Sequence, residues 1–297
     1  MHMRSSVKSP VLSDPIGTTA ERSTTPVRLS SGRSKSELKS LLHDFWNAQE
    51  LYWDMLATEE TQTAWNRQRA ASFVPEGCVV LDVACGAGAN AAYLQNCRRY
   101  FGVDLAISGL RRAAATSLRI ACADADHLPF PDTAFDAAVA TYVLEHSVAP
   151  AETLREMARV VRPGGRVILL GPAWDFPFWY PNSLRSKASS RLWRLRYALL
   201  RSARQLLAVL FGRLPFEVVD DPDALHSEFI CDADAVYIVW TYEVICIMRK
   251  WGHKLVHWET DDPLLGTNPI VRRFKNLMKT LPLYRQAGST VLLVFER

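Results

Sequence analysis

The most informative segment for the fold is Val79-Val80-Leu81-Asp82-Val83-Ala84-Cys85-Gly86-Ala87-Gly88. Its first five residues are apolar except for Asp82, a composition typical of a buried parallel strand. Gly86 and Gly88 let the backbone turn tightly and approach a ligand closely, and the residues that follow predict a helix over 89–99. A strand, a glycine turn and a helix in this order are typical of a nucleotide-binding α/β domain.

The same alternation of short apolar runs and helical stretches continues along the chain. Strands are predicted at 78–83, 100–104, 119–123, 135–141, 167–171, 254–259 and 289–296, and helices at 108–117, 151–161, 234–251 and 268–281. Repeated strand–helix–strand units with apolar strands predict a parallel sheet that is covered on both faces. We therefore expect an α/β fold with a Rossmann-like, doubly wound sheet.

Composition divides the chain into five segments. Residues 1–35 are rich in Ser, Thr, Pro and Arg without a hydrophobic period, which predicts a disordered tail. Apolar residues at helical spacing predict N-terminal cap helices over 36–72. The ligand-binding core then occupies 73–175, and a basic amphipathic insertion occupies 176–232. A helix and strands that complete the sheet are expected over 233–297.

The overall composition fits a folded protein with a sizeable core. The chain has 297 residues, of which 48% are hydrophobic and 22% charged, and its net charge is +4. Its six cysteines are scattered without a C-x-x-C pair, so we predict reduced thiols, no disulfide scaffold and no metal site. Neither a signal-peptide core nor a membrane span stands out, and a cytoplasmic protein is expected.

Two acids help to distinguish the ligands that the glycine turn could hold. Gly86, Gly88 and Ala91 satisfy the relaxed dinucleotide fingerprint, so a nicotinamide cofactor is one alternative. Asp82, however, lies just before the turn, where a carboxylate would repel a pyrophosphate and attract an ammonium group. Asp104 ends the next strand, where an acid can accept hydrogen bonds from both ribose hydroxyls. The two acids indicate a ligand with an ammonium group and a ribose but no phosphates.

Several sequence blocks, in this order, resemble the class I S-adenosylmethionine-dependent methyltransferases, and most closely the methyltransferase type 11 family. The blocks are LDVACGAG (81–88), GVDL (102–105), ADADHLPFPDTAFD (123–136), VLEH (143–146) and RPGGRVIL (162–169). The resemblance covers about 79–170. It implies a seven-stranded sheet whose last strand is antiparallel, with S-adenosylmethionine as the cofactor.

The resemblance also assigns a donor site. In that family the first acid region and the glycines hold the methionine part, the second acid holds the ribose, and the acid of the D-A-x-x-L-P-F block holds the adenine amino group. The implied donor site contains Asp82, Ala84, Gly86, Gly88, Asp104, Leu105, Asp124, Ala125 and Thr141. Ala125 would face the adenine ring with its backbone N–H. Ala84 departs from the family pattern, which usually has glycine there.

Methyl transfer from a sulfonium requires alignment and exclusion of water more than an obligatory catalytic residue. If the acceptor is a hydroxyl, a general base helps, and His146 just past the fourth strand is the candidate. The alternative is that His146 only orients or supports its loop. Candidate acceptor-binding residues at the same edge are Tyr142, Glu145, Trp174 and Asp175.

The predicted function is methyl transfer to a small-molecule, sugar or lipid-linked acceptor, at a hydroxyl oxygen. The alternatives are a nicotinamide-dependent oxidoreductase and a methyltransferase-like protein that binds without catalysis. No D/N-P-P-Y/F/W sequence follows the fourth strand. Because that motif positions exocyclic amines of bases in families that methylate them, no DNA partner is expected.

Residues 185–211 of the insertion carry many arginines and no acid. Lys187, Arg191, Arg194, Arg201 and Arg204 fall on one helical face, and Leu192, Leu195, Leu199, Leu206 and Leu210 on another. A basic amphipathic helix can lie in a membrane interface, with Trp193 and the leucines inserted, which would give peripheral membrane contact. The alternative is a lid helix whose apolar face packs on the catalytic domain.

Overall fold

A seven-stranded sheet forms the centre of the computed structural model, which describes residues 33–57, 64–115, 118–226, 232–260 and 290–297 and the single residues 269, 273, 276, 277 and 280. The strands are β1 (Val79–Val83), β2 (Arg99–Asp104), β3 (Ile120–Cys122), β4 (Phe135–Thr141), β5 (Val161–Pro172), β6 (Lys254–Thr260) and β7 (Thr290–Glu296). Their order across the sheet is β3-β2-β1-β4-β5-β7-β6.

The pairing confirms the predicted sheet. Strand β1 pairs in parallel with β2 and β4, β2 pairs in parallel with β3, and β4 with β5. The last strand, β7, runs antiparallel between β5 and β6. Strands β2 and β3 lie on one side of β1, and β4 and the later strands lie on its other side, so the strand order reverses between β1 and β4. In open α/β sheets, ligands bind at the carboxyl edge beside such a reversal.

Seven helices flank the sheet in the described part of the chain. They are α1 (Lys35–Asn47), α2 (Glu50–Ala57), α3 (Ala64–Ala71), α4 (Ile107–Ala114), α5 (Pro150–Val160), α6 (Arg191–Phe211) and α7 (Thr241–Lys250). Helix α1 begins with a capping box, in which Ser34 and Glu37 satisfy each other's backbone N–H groups. None of the described helices is both long and apolar enough to span a membrane.

The prediction of a helix over 89–99 is wrong beyond the first turn. The structure has only a 3-10 turn at Ala89–Tyr93. The side chain of Asn90 is buried and turns inward to donate to Asp82. The chain then leaves helical geometry, and the Asn96 carbonyl accepts a hydrogen bond from Gly77 N–H. These inward contacts outweigh the helical propensity of the alanines.

The helix predicted over 234–251 begins only at Thr241. Residues 234–240 are buried and run alongside two loops at the carboxyl edge of the sheet. Val236 and Tyr237 donate their backbone N–H groups to the Glu145 carbonyl, and Val239 accepts from Trp174 N–H. These bonds replace helical ones and bring this segment beside the end of β4.

Helix α6 presents a different face to the protein from the one expected of a lid. Its buried residues are Arg201, Gln205 and Ala208, and its leucines are exposed. The lid prediction, in which the apolar face packs on the catalytic domain, is therefore wrong. Arg201 is also not part of an exposed basic face, and Trp193 stacks on Tyr197, with 5.0 Å between ring centroids.

Two predicted segments fall largely outside the described residues. The structure describes nothing of residues 1–32, which make up most of the predicted tail at 1–35. It describes only single positions within the helix predicted over 268–281.

Candidate active site

A cavity lies at the carboxyl edge of the sheet, beneath the N-terminal helices. Among its walls are seven of the nine residues predicted for the donor site: Ala84, Gly86, Asp104, Leu105, Asp124, Ala125 and Thr141. Tyr142 and His146 line it as well. The remaining walls include aromatic and basic side chains from α1, α2 and α3, namely Lys39, Trp46, Tyr52, Trp53 and Arg67.

Asp104 joins the glycine turn to the end of β2. One carboxylate oxygen accepts from Gly86 N–H at 2.8 Å, and the other accepts from Ala106 N–H at 2.7 Å. Burial raises the pKa of Asp104, and the bonds from the Ala106 and Gly86 amides oppose that shift. Each oxygen keeps a further lone pair. The carboxylate can therefore still accept hydrogen bonds from a ligand in the cavity.

Asp82, which was predicted to contact an ammonium group, does not line the cavity. The residue is fully buried, and its two oxygens accept from Tyr100 O–H at 2.7 Å and from Asn90 Nδ2 at 2.8 Å. Burial raises its pKa to about 6, although both hydrogen bonds lower it. Asp82 thus ties the end of β1 to Tyr100 on β2 and to Asn90 in the 3-10 turn that follows the glycines.

The glycine turn packs against the ring of Trp53 on α2. Gly86 has a φ of +53°, and a Cβ placed on it would lie 2.7 Å from Cζ3 of Trp53. A side chain at this position would thus meet both backbone strain and a collision. Gly88, with a φ of +84°, is not part of the cavity wall, and its role is to shape the turn.

Ala84 stores strain at the position where the resemblance leads one to expect glycine. Its φ is +54°, a region that costs an L-residue roughly 1–2 kcal/mol. Replacing Ala84 with Gly should relieve this cost but also enlarge the unfolded ensemble, an opposing term of about 0.5–1 kcal/mol. We expect net stabilisation by up to about 1.5 kcal/mol, measured by urea denaturation. Destabilisation by Ala84→Gly would show that the turn is not strained.

Asp124 is held by a lysine that the sequence did not single out. Lys39 Nζ on α1 lies 2.5 Å from Asp124 Oδ2 and 2.6 Å from Asp126 Oδ2. These contacts lower the pKa of Asp126, although its burial would raise it. Asp124 remains in the cavity wall, and the lysine ties α1 to the side of the site predicted for adenine.

Arg67 on α3 is a second residue that sequence reasoning missed. Its Nη1 donates to Asn90 Oδ1 at 2.8 Å and to Thr141 Oγ1 at 2.6 Å. Among the described residues, no carboxylate lies within ion-pair distance of this guanidinium, and its buried Nε has no hydrogen-bond partner. The cavity therefore has a cationic wall beside Thr141. Arg67 lies outside every recognised sequence block, so the sequence gave no indication of this role.

His146 is held between two buried carboxylates. Its Nδ1 lies 2.8 Å from Asp234 Oδ2, its Nε2 lies 3.7 Å from Glu145 Oε1, and its ring contacts Trp46 edge-on. Burial alone would lower the pKa of His146, but Asp234 and Glu145 outweigh it and raise the pKa to about 10. The imidazole is then protonated at neutral pH. It can act as the predicted general base only after losing that proton.

Three of the four predicted acceptor-binding residues lie elsewhere. Glu145 and Trp174 are buried outside the cavity, and burial raises the pKa of Glu145 to about 7. Asp175 is also buried and accepts from Thr241 N–H at 2.8 Å and Thr241 Oγ1 at 3.1 Å, which fixes the start of α7. Only Tyr142 lines the cavity, with the Arg67 guanidinium 5.4 Å from its ring centroid.

Comparison with known proteins identifies this architecture. Residues 81–169 match the family model of the type 11 methyltransferases, described as a methyltransferase domain. The chain carries a class I methyltransferase domain. A crystal structure of an S-adenosylmethionine-dependent methyltransferase from Mesorhizobium loti has the same fold, with a TM-score of 0.52 and 17% sequence identity. That similarity covers 80% of this chain and 99% of the other.

Two relatives of the methyltransferase domain are similar in sequence over part of their length. A demethylmenaquinone methyltransferase of Corynebacterium urealyticum is 36% identical over 35% of this chain and 45% of its own. A fatty-acid O-methyltransferase of Mycolicibacterium smegmatis is 39% identical over 37% of this chain and 43% of its own. The chain thus spans less than half the length of these relatives.

The contacts of Asp175 predict a structural role. Asp175→Ala should leave the Thr241 N–H and hydroxyl without their acceptor and destabilise the protein by about 1–3 kcal/mol. Donor affinity of the folded variant should not change, because Asp175 is not in the cavity wall. Urea denaturation and a donor titration measure the two effects. A variant with unchanged stability would contradict this structural role.

Proposed function

We propose that this protein transfers a methyl group from S-adenosylmethionine to a hydroxyl oxygen of a small-molecule, sugar or lipid-linked acceptor. The observation that carries the proposal is the convergence of Asp104, the Gly86 turn and Arg67 on one cavity. An anionic, a backbone and a cationic element thus surround the space at the carboxyl edge.

The chemistry of these walls fits the parts of the donor. Asp104 would accept hydrogen bonds from the ribose hydroxyls, and Asp124 with the backbone of Ala125 would hold the adenine. Arg67, which forms no ion pair within the described part of the chain, fits the carboxylate of the donor's methionine part. The bound donor supplies an electrophilic methyl carbon. Trp53, packed on the glycine turn, would exclude water from it.

An apolar or lipid-like acceptor suits the aromatic lining of the cavity, which Trp46, Tyr52 and Tyr142 provide. The relatives named above are methyltransferases of demethylmenaquinone and of fatty acids, both of which have long apolar parts. We extend the proposal to peripheral contact between residues 185–211 and a membrane.

The nicotinamide alternative loses support because residues 81–169 match a methyltransferase domain. The non-catalytic alternative predicts the same donor cavity without turnover. The catalytic and the non-catalytic hypotheses differ only in whether a methyl group is transferred to an acceptor.

Methyl transfer can be measured with methyl-labelled S-adenosylmethionine and a bacterial lipid extract, followed by mass spectrometry of the labelled product. We expect label in an extractable acceptor with the parent protein and with Asp132→Ala, a matched control at an exposed aspartate. Asp104→Ala should abolish the labelling. Donor binding without transfer to lipid or polar extract fractions would favour the non-catalytic protein.

A further inference from the structure

Helix α6 carries an apolar face that nothing in the described part of the protein covers. Leu192 and Leu210, near its two ends, are 76% and 63% exposed. The exposed apolar residues recur at helical spacing along one side: Leu192, Leu195, Leu199, Leu206 and Leu210. We call these five residues the leucine face. A contiguous apolar surface of this length is uncommon on a soluble protein and indicates an interaction site.

The outward direction of the leucine face is fixed by bonds on the opposite side of the helix. Arg201, only 4% exposed, donates to the Trp174 carbonyl and to the Tyr197 hydroxyl. Gln205 donates to the Asp175 carbonyl at 2.9 Å. Rotating α6 to bury the leucines would leave these buried polar groups without partners, at a substantial cost in stability. The polar side is therefore the anchor of this helix.

The charge of the surroundings favours one kind of occupant for the leucine face. The chain contains no acidic residue from 176 to 216. Exposed arginines lie on and around α6: Arg185, Arg191, Arg194, Arg196 and Arg213. A second copy of this surface would bring two sets of arginines together and repel. An anionic bilayer would attract the arginines and accept the leucines.

We propose that the leucine face of α6 docks the protein on a bilayer rich in anionic phospholipids, with the helix lying in the plane of the interface. This inference deepens the proposed function, since it rests on a lipid-linked acceptor and names the surface on which that acceptor is met. Trp193, stacked on Tyr197, belongs to the protein side, so the leucines rather than the tryptophan insert. Arg201 serves as the anchor and takes no part in lipid contact.

The full-length protein can be tested by co-sedimentation with phosphatidylglycerol–phosphatidylcholine vesicles and with phosphatidylcholine vesicles. The test variant is Leu192→Gln/Leu199→Gln/Leu206→Gln, which changes only exposed side chains. Val256→Gln, at an exposed valine on β6, is the matched control. We expect the triple variant to bind anionic vesicles at least about tenfold more weakly, as expected when three inserted side chains no longer enter the interface. Val256→Gln should bind as the parent does.

A second variant tests the electrostatic part. Arg191→Gln/Arg196→Gln should weaken binding to the anionic vesicles, and raising the salt concentration should weaken the parent's binding in the same direction. Binding to phosphatidylcholine alone should be weaker than to the anionic mixture. Equal binding to both vesicles would contradict the choice of an anionic surface.

Two further results would overturn the proposal. One is a parent protein that stays in the supernatant with anionic vesicles at low salt. The other is a parent that sediments as a dimer in analytical ultracentrifugation while the triple leucine variant is a monomer, which would assign the face to a second copy. S-adenosylhomocysteine affinity, measured on the same samples, separates this failure from failure of the proposed function, because the leucine face lies outside the donor cavity.

Discussion

Asp104→Ala should weaken the binding of S-adenosylhomocysteine by about 1–3 kcal/mol, which is roughly 5- to 150-fold. The carboxylate both faces the cavity and holds the amides of Gly86 and Ala106. Its removal would take away the ribose acceptor and release the glycine turn. Isothermal titration calorimetry at neutral pH measures the change.

The control must separate lost ligand contact from lost folding. Asp104→Asn keeps the size of the side chain and one carbonyl oxygen, so it should unfold at a higher urea concentration than the alanine variant. Asp132→Ala should bind the donor product as the parent does. If Asp104→Ala is folded and keeps full affinity, Asp104 does not hold the ribose.

His146→Gln should lower kcat by roughly 10²- to 10⁴-fold if His146 is the general base for an acceptor hydroxyl. Because its neighbours raise the pKa of His146 to about 10, the free imidazole is scarce at neutral pH. The parent's turnover should therefore rise with pH from neutral towards about 10, and this rise should be absent in His146→Gln. A flat parent profile together with unchanged turnover in the variant would leave His146 a supporting role only.

Asp234→Asn tests how His146 is held. Removing the carboxylate 2.8 Å from Nδ1 should lower the pKa of His146 and move the alkaline rise in turnover to lower pH. The raised pKa of His146 also stabilises the folded protein. This stabilisation is complete below the unfolded pKa of about 6.5 and is lost as the pH rises through about 10. Asp234→Asn should flatten this dependence.

Local patterns predicted the sheet and the glycine turn well. The apolar strands, the turn at Gly86 and the acid at Asp104 each depend on neighbours in the chain, and the structure places Gly86 and Asp104 at one cavity. The leucines of α6 were also recognised from their spacing. Their direction was not, because it depends on contacts between Arg201 or Gln205 and carbonyls about 30 residues away.

The parts of the site that came from distant segments were not predictable in the same way. Arg67 donates a hydrogen bond to Thr141, 74 positions further along the chain. Asp234 lies next to His146 because residues 234–240 are not helical, contrary to the prediction. Burial separates Asp82 and Asp175 from the cavity. Asp82 was assigned to a ligand from its position just before the glycine turn and Asp175 from its position after the fifth strand, yet both are enclosed by protein donors.

Calorimetric titration of the parent protein with S-adenosylhomocysteine and, separately, with NADH tests the central claim that the cavity is a methyl-donor site. We expect saturable binding of S-adenosylhomocysteine with one site per chain, no heat of binding from NADH, and loss of affinity in Asp104→Ala. Binding of NADH without binding of S-adenosylhomocysteine would contradict the assignment of this cavity.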